Sequence, residues 1–285
     1  MSRIRLVTDS TADIPAEIRE ALGIEMVPLK VHFGTETYQD AVTLQSGPFY
    51  EKLAQSSTLP TTSQPSPVDF LETYKRLAQE PGVQIISIHL ASALSGTYQS
   101  AVLAKSLLEE KADITIVDSR SASYGFGCLV VKAAEAARDG KSLEECLALI
   151  HRLRDDYGLF FLVDTLEYLQ KGGRIGKAAA LFGSLLNIKP ILSLDEEGQV
   201  YSVDKVRGHK KAMGRIVELL KERPKLNGEV EVIIAHANAP AYAEELSALV
   251  GQHFNVKSVA YTPLGPVIGT HTGPGTVAVF MLPVL

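Results

Sequence analysis

The chain has very little cysteine, no tryptophan and no long apolar run, and each scarcity excludes a class of protein. Its 285 residues include only two Cys, so it is not a small domain stabilised by disulfide bonds. The sequence contains no stretch of about 20 consecutive apolar residues, which argues against a membrane-spanning helix. The opening MSRIRLVTDS has no apolar signal core and is typical of a strand, so we expect a cytoplasmic protein.

The two cysteines are predicted to be buried, reduced thiols. Cys128 and Cys146 both fall in helix-like segments rich in Val, Ala and Leu, where a thiol behaves as a small apolar group. No spacing of Cys and His in the sequence is typical of a zinc site. We therefore predict no bound metal and no cofactor.

Basic charge is scarce in the first half of the chain. The net charge is −5, and residues 1–150 carry 19 acidic against 13 basic residues, whereas residues 151–285 carry 14 against 15. A protein that binds nucleic acid needs a basic face to neutralise phosphates, so this partner is excluded. Basic clusters in the second half can still bind a single phosphate or contact an acidic partner.

Three common catalytic motifs are missing from the sequence. It contains no GxxxxGK[ST] phosphate loop, and GFGCLV at Gly125 and Gly127 lacks the third glycine of a dinucleotide fingerprint. The segment ALSGT around Ser95 lacks both glycines of the GxSxG elbow of α/β-hydrolases. An enzyme of any of these three classes is therefore disfavoured.

Strands and helices alternate along the first half, which predicts an α/β domain over residues 1–155 with a parallel, helix-covered sheet. Val83–His89 is a continuous apolar run, which is typical of a strand buried on both faces. Ile24–Phe33 is predicted as one strand. A capping box of Ser142 and Glu145 predicts the start of a helix that ends the domain.

The second half, residues 156–285, predicts an α/β domain with a mixed sheet. Ile188–Leu194 and Val200–Val206 flank the turn DEEGQ and predict an antiparallel hairpin. Gly176–Leu186 is predicted as a helix. It overlaps the apolar segment Ala178–Leu192, which either packs between the domains or lines a deep apolar pocket.

Four polar segments adjoin predicted strands, where α/β proteins build their sites. They are TDSTAD (8–13), LPTTSQPSP (59–67), HLASALSGTYQS (89–100) and GTHTGPGT (269–276). The first is also explained by a helix cap and an Asx turn, and the second by an exposed linker that its prolines stiffen. In the third, Ser95 begins a helix whose free N–H groups suit an anion, or it is an ordinary N-cap.

His271 lies in the fourth segment, on a predicted glycine-rich turn before the strand Val277–Leu282. It could donate a hydrogen bond to an anion or act as a base, or it could be an ordinary surface histidine. Two basic clusters, LQKGGRIGK with Arg174 and KVRGHKK with Arg207, are either solvated surface or binding groups. The glycines beside Arg174 favour a shaped backbone.

Five motifs in order along the whole chain resemble the DegV family: TDSTADIP, TSQPSP, LSGTYQSA, GGRI and GTHTGPGT. The resemblance implies a two-domain α/β protein that holds a long-chain fatty acid in an apolar tunnel between the domains or at their junction. It also implies a non-catalytic role as the lipid-binding subunit of a bacterial fatty acid kinase. The partner kinase would use ATP to convert the carboxylate to an acyl phosphate for phospholipid synthesis.

The resemblance also implies site residues. It implies that Thr62 of TSQP and Ser95 of SGT bind the fatty-acid carboxylate and that His271 lies beside it. Thr61 competes with Thr62, and Ser92 competes with Ser95, because each loop offers two hydroxyls.

Arg174 of GGRI and Arg207 of KVRG resemble residues that dock the partner kinase. The alternative function is a stand-alone hydrolase or phosphotransferase that uses Ser95 and His271 as nucleophile and base.

Overall fold

The structure, a computed structural model, describes residues 3–109, 112–183 and 188–284. Its strands are β1 (Arg3–Asp9), β2 (Glu25–Val27), β3 (Lys30–Phe33), β4 (Glu36–Gln39), β5 (Thr61–Ser63), β6 (Val83–His89), β7 (Asp113–Asp118), β8 (Gly158–Leu162), β9 (Ile188–Leu194), β10 (Val200–Arg207), β11 (Glu229–His236), β12 (Asn255–Pro263) and β13 (Val277–Pro283). Its α-helices are α1 (Ala16–Leu22), α2 (Ser46–Gln55), α3 (Pro67–Ala78), α4 (Thr97–Leu107), α5 (Tyr124–Arg138), α6 (Leu143–Asp156), α7 (Glu167–Lys171), α8 (His209–Lys221), α9 (Pro240–Gly251) and α10 (Pro266–Thr272). Short 3₁₀ helices span Ser10–Ala12, Gly176–Leu181 and Pro224–Leu226. No helix within the described ranges is long and apolar enough to cross a membrane.

The first half of the chain forms a four-stranded parallel sheet in the order β2-β1-β6-β7. Helices α3 and α4 pack on one face, where Phe70 and Tyr74 are fully buried against Ile85. Helix α5 packs on the other face and buries Leu129 beside Ile86. Because β6 is covered on both sides, its sequence is an unbroken apolar run, and the predicted parallel, helix-covered sheet is confirmed.

The second half forms a six-stranded mixed sheet in the order β10-β9-β8-β13-β11-β12. β11 and β12 pair in parallel, whereas β9 and β10 form the predicted antiparallel hairpin. Helices α8 and α9 cover one face, and the other face contributes to the same core cluster as α5 and α6. The predicted mixed sheet is confirmed, and the domain boundary near residue 155 stays a prediction.

The prediction of one strand over Ile24–Phe33 is wrong. The segment forms two strands, of which β2 joins the parallel sheet and β3 joins a small antiparallel sheet in the order β4-β3-β5. Pro28 lies between them. Proline has no N–H for a strand ladder, so it is the natural point at which the chain leaves one sheet for the other.

The predicted helix over Gly176–Leu186 is also wrong as far as the structure describes it. The segment forms a 3₁₀ helix that ends before Phe182, whose backbone is extended. Gly176 and Gly183 both have positive φ, a conformation that does not belong to an α-helix. The remainder, residues 184–187, lies outside the described residues.

The glycine-rich segment before β13 is partly helical, which the sequence did not predict. Pro266 begins α10 directly after Gly265, and Gly273 ends it with φ +77°. Proline in the first turn and a positive-φ glycine after the last residue are the usual signals for a helix start and stop. His271 therefore lies in the last turn of a helix and not on a free loop.

Candidate functional site

An apolar cavity of about 420 Å³ is lined by strands of the mixed sheet, by β5 of the small antiparallel sheet and by the loop that follows β6. Its volume falls in the range of pockets that enclose small ligands, which is roughly 300–1,000 Å³. Alternate residues of two neighbouring strands form one wall: Leu159 and Phe161 from β8, and Ala278 and Phe280 from β13. Strand side chains alternate between the two faces of a sheet, so a period of two brings all four to the cavity.

Four polar residues predicted from the sequence line this cavity: Thr62, Ser95, Arg174 and His271. The Oγ1 atom of Thr62 lies 2.8 Å from Nε2 of His271, which joins β5 to α10. The cavity thus combines apolar walls with a small group of hydroxyl, imidazole and guanidinium groups, which is the usual composition of a ligand pocket.

The two alternative hydroxyl residues do not line the cavity. Thr61, which precedes Thr62 on β5, is exposed. Ser92 is also exposed, and its backbone N–H donates to the carboxylate of Asp118 at 3.2 Å, on the surface of the loop. Of each predicted pair, the cavity therefore includes Thr62 and Ser95.

Ser95 lies just before α4, which begins at Thr97 and not at Ser95 as the sequence suggested. Its Oγ accepts the backbone N–H of Thr97 at 3.3 Å and lies 2.9 Å from the Thr97 hydroxyl. The loop thus holds Ser95 in a fixed orientation at the start of the helix.

Gln64 also lines the cavity; it lies in the motif TSQPSP but was not among the predicted site residues. Its Nε2 donates to Ser100 Oγ at 3.1 Å. A Cβ atom on Gly96 would lie 2.2 Å from Oε1 of Gln64, so glycine at this position leaves room for the Gln64 amide in its present orientation. The glycine of the SGT motif therefore has a packing role.

His271 is electrically neutral at neutral pH. Burial, with a smaller contribution from the charge of Arg174, lowers the pKa of its imidazole to about 4. Its Nδ1 atom is buried and has no hydrogen-bond partner. A Cβ atom on Gly172 would lie 2.3 Å from that Nδ1, so the first glycine of GGRI makes space for the ring.

Arg174 is fixed in the cavity wall. Its Nε donates to the carbonyl of Leu94 at 3.0 Å, and its Nη1 donates to the carbonyl of Gly172 at 2.8 Å. The left-handed backbone of Gly173, with φ +70°, turns the chain to place it there. Its charge therefore faces the same polar group of side chains as His271.

Arg207 is exposed at the end of β10, and the structure does not bring it to Arg174. Val200, at the other end of the same strand, lines the cavity. Seven residues at 3.3 Å each separate the two by about 23 Å. The two predicted docking arginines thus lie in different environments.

The pair required for the alternative function does not form. Ser95 Oγ bonds to Thr97, and Nε2 of His271 bonds to Thr62, so no hydrogen bond joins Ser95 to His271. A serine nucleophile needs such a bond to its base.

A second Ser–His–Asp arrangement lies inside the parallel sheet. Ser87 Oγ is 2.7 Å from His89 Nε2, and His89 Nδ1 is 3.0 Å from Asp9 Oδ2. All three residues are fully buried, so no substrate can reach the serine. The Asp9 carboxylate also caps the turn at Thr11, which confirms the structural interpretation of TDSTAD.

Within residues 3–109, 112–183 and 188–284, no three His, Cys, Asp or Glu side chains are grouped closely enough to hold a metal ion. Cys128 and Cys146 are buried, unpaired thiols, as predicted.

Known proteins resemble this chain along its whole length. The model of a family described as uncharacterised proteins of the DegV family matches residues 3–284. A DegV domain-containing protein of Halalkalibacterium halodurans is 40% identical over 277 residues, which cover 97% of each chain. A fatty-acid-binding DegV family protein from Thermus thermophilus has the same fold, with TM-score 0.92 and 37% identity over 99% of this chain and 100% of that one. DegV of Bacillus subtilis, a fatty acid binding protein, gives TM-score 0.89 and 36% identity over the full length of both.

The family match, the identity of a close relative and the fold of two solved structures agree, and each spans nearly all of the sequence. This α/β chain, with one parallel and one mixed sheet, belongs to the DegV family.

Proposed function

We propose that this protein binds a long-chain fatty acid, with the tail in the apolar cavity and the carboxylate beside Thr62, Ser95, Arg174 and His271. The observation that carries the proposal is the bonded pair of Thr62 and His271, next to a fixed arginine, in an otherwise apolar cavity. The fatty-acid-binding DegV proteins of the same fold support it.

The energetics suit a lipid. Burying a 16-carbon tail at about 0.8 kcal/mol per CH₂ contributes on the order of 10 kcal/mol before the cost of ordering the chain. A carboxylate in such a cavity is costly unless it is hydrogen-bonded. The guanidinium of Arg174 offers charged donors, and the hydroxyl of Ser95 offers another. The pair of Thr62 and neutral His271, which shares one hydrogen bond, retains one further donor.

We also propose that the chain is not itself the catalyst and presents the carboxylate to an ATP-dependent kinase. In that reaction a carboxylate oxygen would form a new bond to the γ-phosphorus of ATP, while the bond from that phosphorus to ADP breaks. The head group then gains negative charge, which the fixed guanidinium of Arg174 would stabilise. The exposed Arg207 is our candidate for contact with the kinase.

Extraction of the purified protein tests lipid binding. Mass spectrometry of the organic extract should find long-chain fatty acid in near-equal amount to protein, and titration of delipidated protein should restore it. A protein that carries no fatty acid and binds none on titration would contradict the proposal.

The role of the kinase is tested separately. Acyl phosphate should appear only when kinase, ATP and loaded protein are combined. Turnover of ATP or of an acyl ester by the isolated chain would favour the stand-alone enzyme instead.

A further inference from the structure

Two buried carboxyl groups lie behind the cavity, at the start of the helix that carries His271. Oδ1 of Asp13 accepts the backbone N–H of Gly265 at 3.0 Å, and its Oδ2 accepts the hydroxyl of Ser123 at 2.5 Å. The Asp40 carboxyl is also buried, with only 1% of the residue exposed. Both residues belong to the first half of the chain, whereas Gly265 precedes α10 in the second half.

The two carboxyl groups meet at one point. A Cβ atom on Gly265 would lie 2.4 Å from Oδ1 of Asp13 and 3.5 Å from Oδ1 of Asp40. Glycine at position 265 therefore leaves room for the Asp13 carboxylate at the first turn of α10, where backbone N–H groups have no partner within the helix, and Asp40 lies beside it.

Neither oxygen of Asp40 makes a hydrogen bond of normal geometry. The hydroxyl of Ser10 and the backbone N–H of Val267 face it and favour its charged form, but burial outweighs them and raises its pKa to about 7. A buried carboxyl without full partners is costly when ionised, so it holds a proton instead.

The charges around the pair are acidic. The charge of Asp9 on β1 raises the pKa of both carboxyls, and the charge of Asp40 raises the pKa of Asp13. Both carboxyls in turn raise the pKa of the Tyr50 phenol on α2. Burial is also the main reason that the pKa of Asp13 is raised well above its usual range. None of these neighbouring groups is basic. Binding a proton is therefore how this cluster reduces its negative charge.

The same cluster touches the cavity. Ser123, Leu264 and Val267 all line it, and each lies at or next to a contact of the two carboxyls. The Leu264 carbonyl is itself fixed by the hydroxyl of Tyr50 at 3.1 Å. A shift of this cluster therefore moves α10 and its His271 relative to Thr62.

We propose that Asp13 and Asp40 are positioning residues for His271, because they hold the first turn of α10 against the first half of the chain. Asp13 does this through its bond to the N–H of Gly265. Asp40 does so in its protonated form, packed beside α10 with the N–H of Val267 facing it, and its ionisation loosens this contact. The effect on ligand binding rests on the proposed function, whereas the effect on stability and on the histidine does not.

The pH dependence has a definite sign. Folding raises the pKa of Asp40 from its ordinary 3.8 to about 7, so the folded state holds a proton that the unfolded state has lost. Stability from this group is complete below pH 4 and is lost as the pH rises towards 7. Relative to wild type, Asp40→Asn should gain up to about tenfold in its folding equilibrium constant per pH unit between pH 5 and 7.

The experiment compares wild type with Asp40→Asn, Asp40→Leu and the control Asp139→Asn, whose carboxyl is 66% exposed at the end of α5. Denaturant unfolding of lipid-free protein at several pH values gives the folding constants, and nitrogen-15 NMR of the imidazoles reports the bond between His271 and Thr62. Asp40→Asn should keep that NMR signature from pH 6 to 8. Asp40→Leu, which offers no polar group to the N–H of Val267, should lose it, and Asp139→Asn should follow wild type throughout.

If the folding constants of wild type and Asp40→Asn change with pH in parallel, the claim that Asp40 is protonated in the folded protein is wrong. An unchanged His271 signature in Asp40→Leu would overturn the positioning role. With fatty acid added, wild type should lose affinity as the pH rises through about 7, and Asp40→Asn should not. If no fatty acid binds at all, the proposed function fails, but the two lipid-free readouts still decide the inference.

Discussion

The imidazole Nε2 of His271 lies 2.8 Å from the hydroxyl of Thr62, across 209 residues of sequence. Thr62 belongs to a small sheet in the first half of the chain, and His271 belongs to a helix in the second half. This one hydrogen bond therefore reports whether the two halves meet correctly at the polar end of the cavity.

We expect His271→Ala to fold and to lose fatty-acid affinity. The variant removes a donor to the carboxylate, and a hydrogen bond to a charged group contributes about 1.5–3 kcal/mol, so affinity should fall roughly 10- to 100-fold. Acyl phosphate formation with the kinase should be lost as well. Isothermal titration and circular dichroism measure affinity and fold, with the exposed His253→Ala as the matched control. Unchanged affinity and unchanged product formation would remove His271 from the site.

Gly172→Ala should impair the same histidine without touching the ligand. Its backbone is helical, with φ −75°, which alanine can adopt, but the new methyl would lie 2.3 Å from His271 Nδ1 and 2.9 Å from the carbonyl oxygen of Tyr168. We expect the ring to be displaced and affinity to fall at least tenfold. Gly214→Ala in α8 is the control, because nothing lies within 4 Å of its new Cβ, and it should add about 0.5–1 kcal/mol of stability. Equal affinities in both variants would refute the steric role of Gly172.

Features set by local sequence were predictable. Ser142 and Glu145 form the expected capping box, and β6 follows the apolar run Val83–His89 to the residue. Both depend on contacts within a few residues or on burial of an entire strand, which composition and spacing record directly.

Features set by distant contacts were not predictable. Nothing in GGRI indicates that Arg174 donates to the carbonyl of Leu94 and lies in the cavity wall, and its role in docking the kinase stays a prediction. Asp40 follows an exposed hairpin, where an aspartate is usually solvated, and nothing local indicates that α10 covers it. Such placements arise from the packing of segments 80 or more residues apart, which one sequence does not encode in any short pattern.

The low pKa of His271 predicts an acid-sensitive fold. Its pKa is about 4 in the folded protein and 6.5 ordinarily, so only the unfolded state binds a proton between these values. The free energy of unfolding should therefore fall by about 3 kcal/mol from this group as the pH drops from 6.5 to 4. His271→Asn should show a shallower loss over that window in denaturant titrations, whereas His253→Asn should keep the wild-type slope. Equal slopes for all three proteins would mean that His271 titrates normally.

Filling the cavity should discriminate between fatty acids by length. Ala278 is 4% exposed on β13 and lines the cavity, so Ala278→Phe places a ring where the tail would lie. Each displaced methylene costs about 0.8 kcal/mol, so losing four would weaken binding roughly 100-fold. Long acids should lose more affinity than short ones in a titration series. Ala260→Phe, the same change on the exposed edge strand β12, should leave the series unchanged, and a uniform loss across chain lengths would argue against a tail in this cavity.

Arg207→Glu should separate lipid binding from kinase coupling. The side chain is exposed and lies about 23 Å along β10 from the nearest cavity residue of that strand, so fatty-acid affinity should stay at the wild-type value. If Arg207 meets an acidic surface of the kinase, reversal of its charge should slow acyl phosphate formation at least tenfold. The effect should shrink as salt is raised, because screening weakens contacts between exposed charges.

Two variants make that result interpretable. Arg138→Glu reverses another exposed arginine, 64% accessible on α5, and should leave product formation unchanged. Arg174→Ala removes the guanidinium from the cavity wall and should weaken fatty-acid binding itself, in contrast to Arg207→Glu. If Arg207→Glu forms product at the wild-type rate, the kinase docks elsewhere. If that variant loses lipid, a change at the end of β10 affects the cavity.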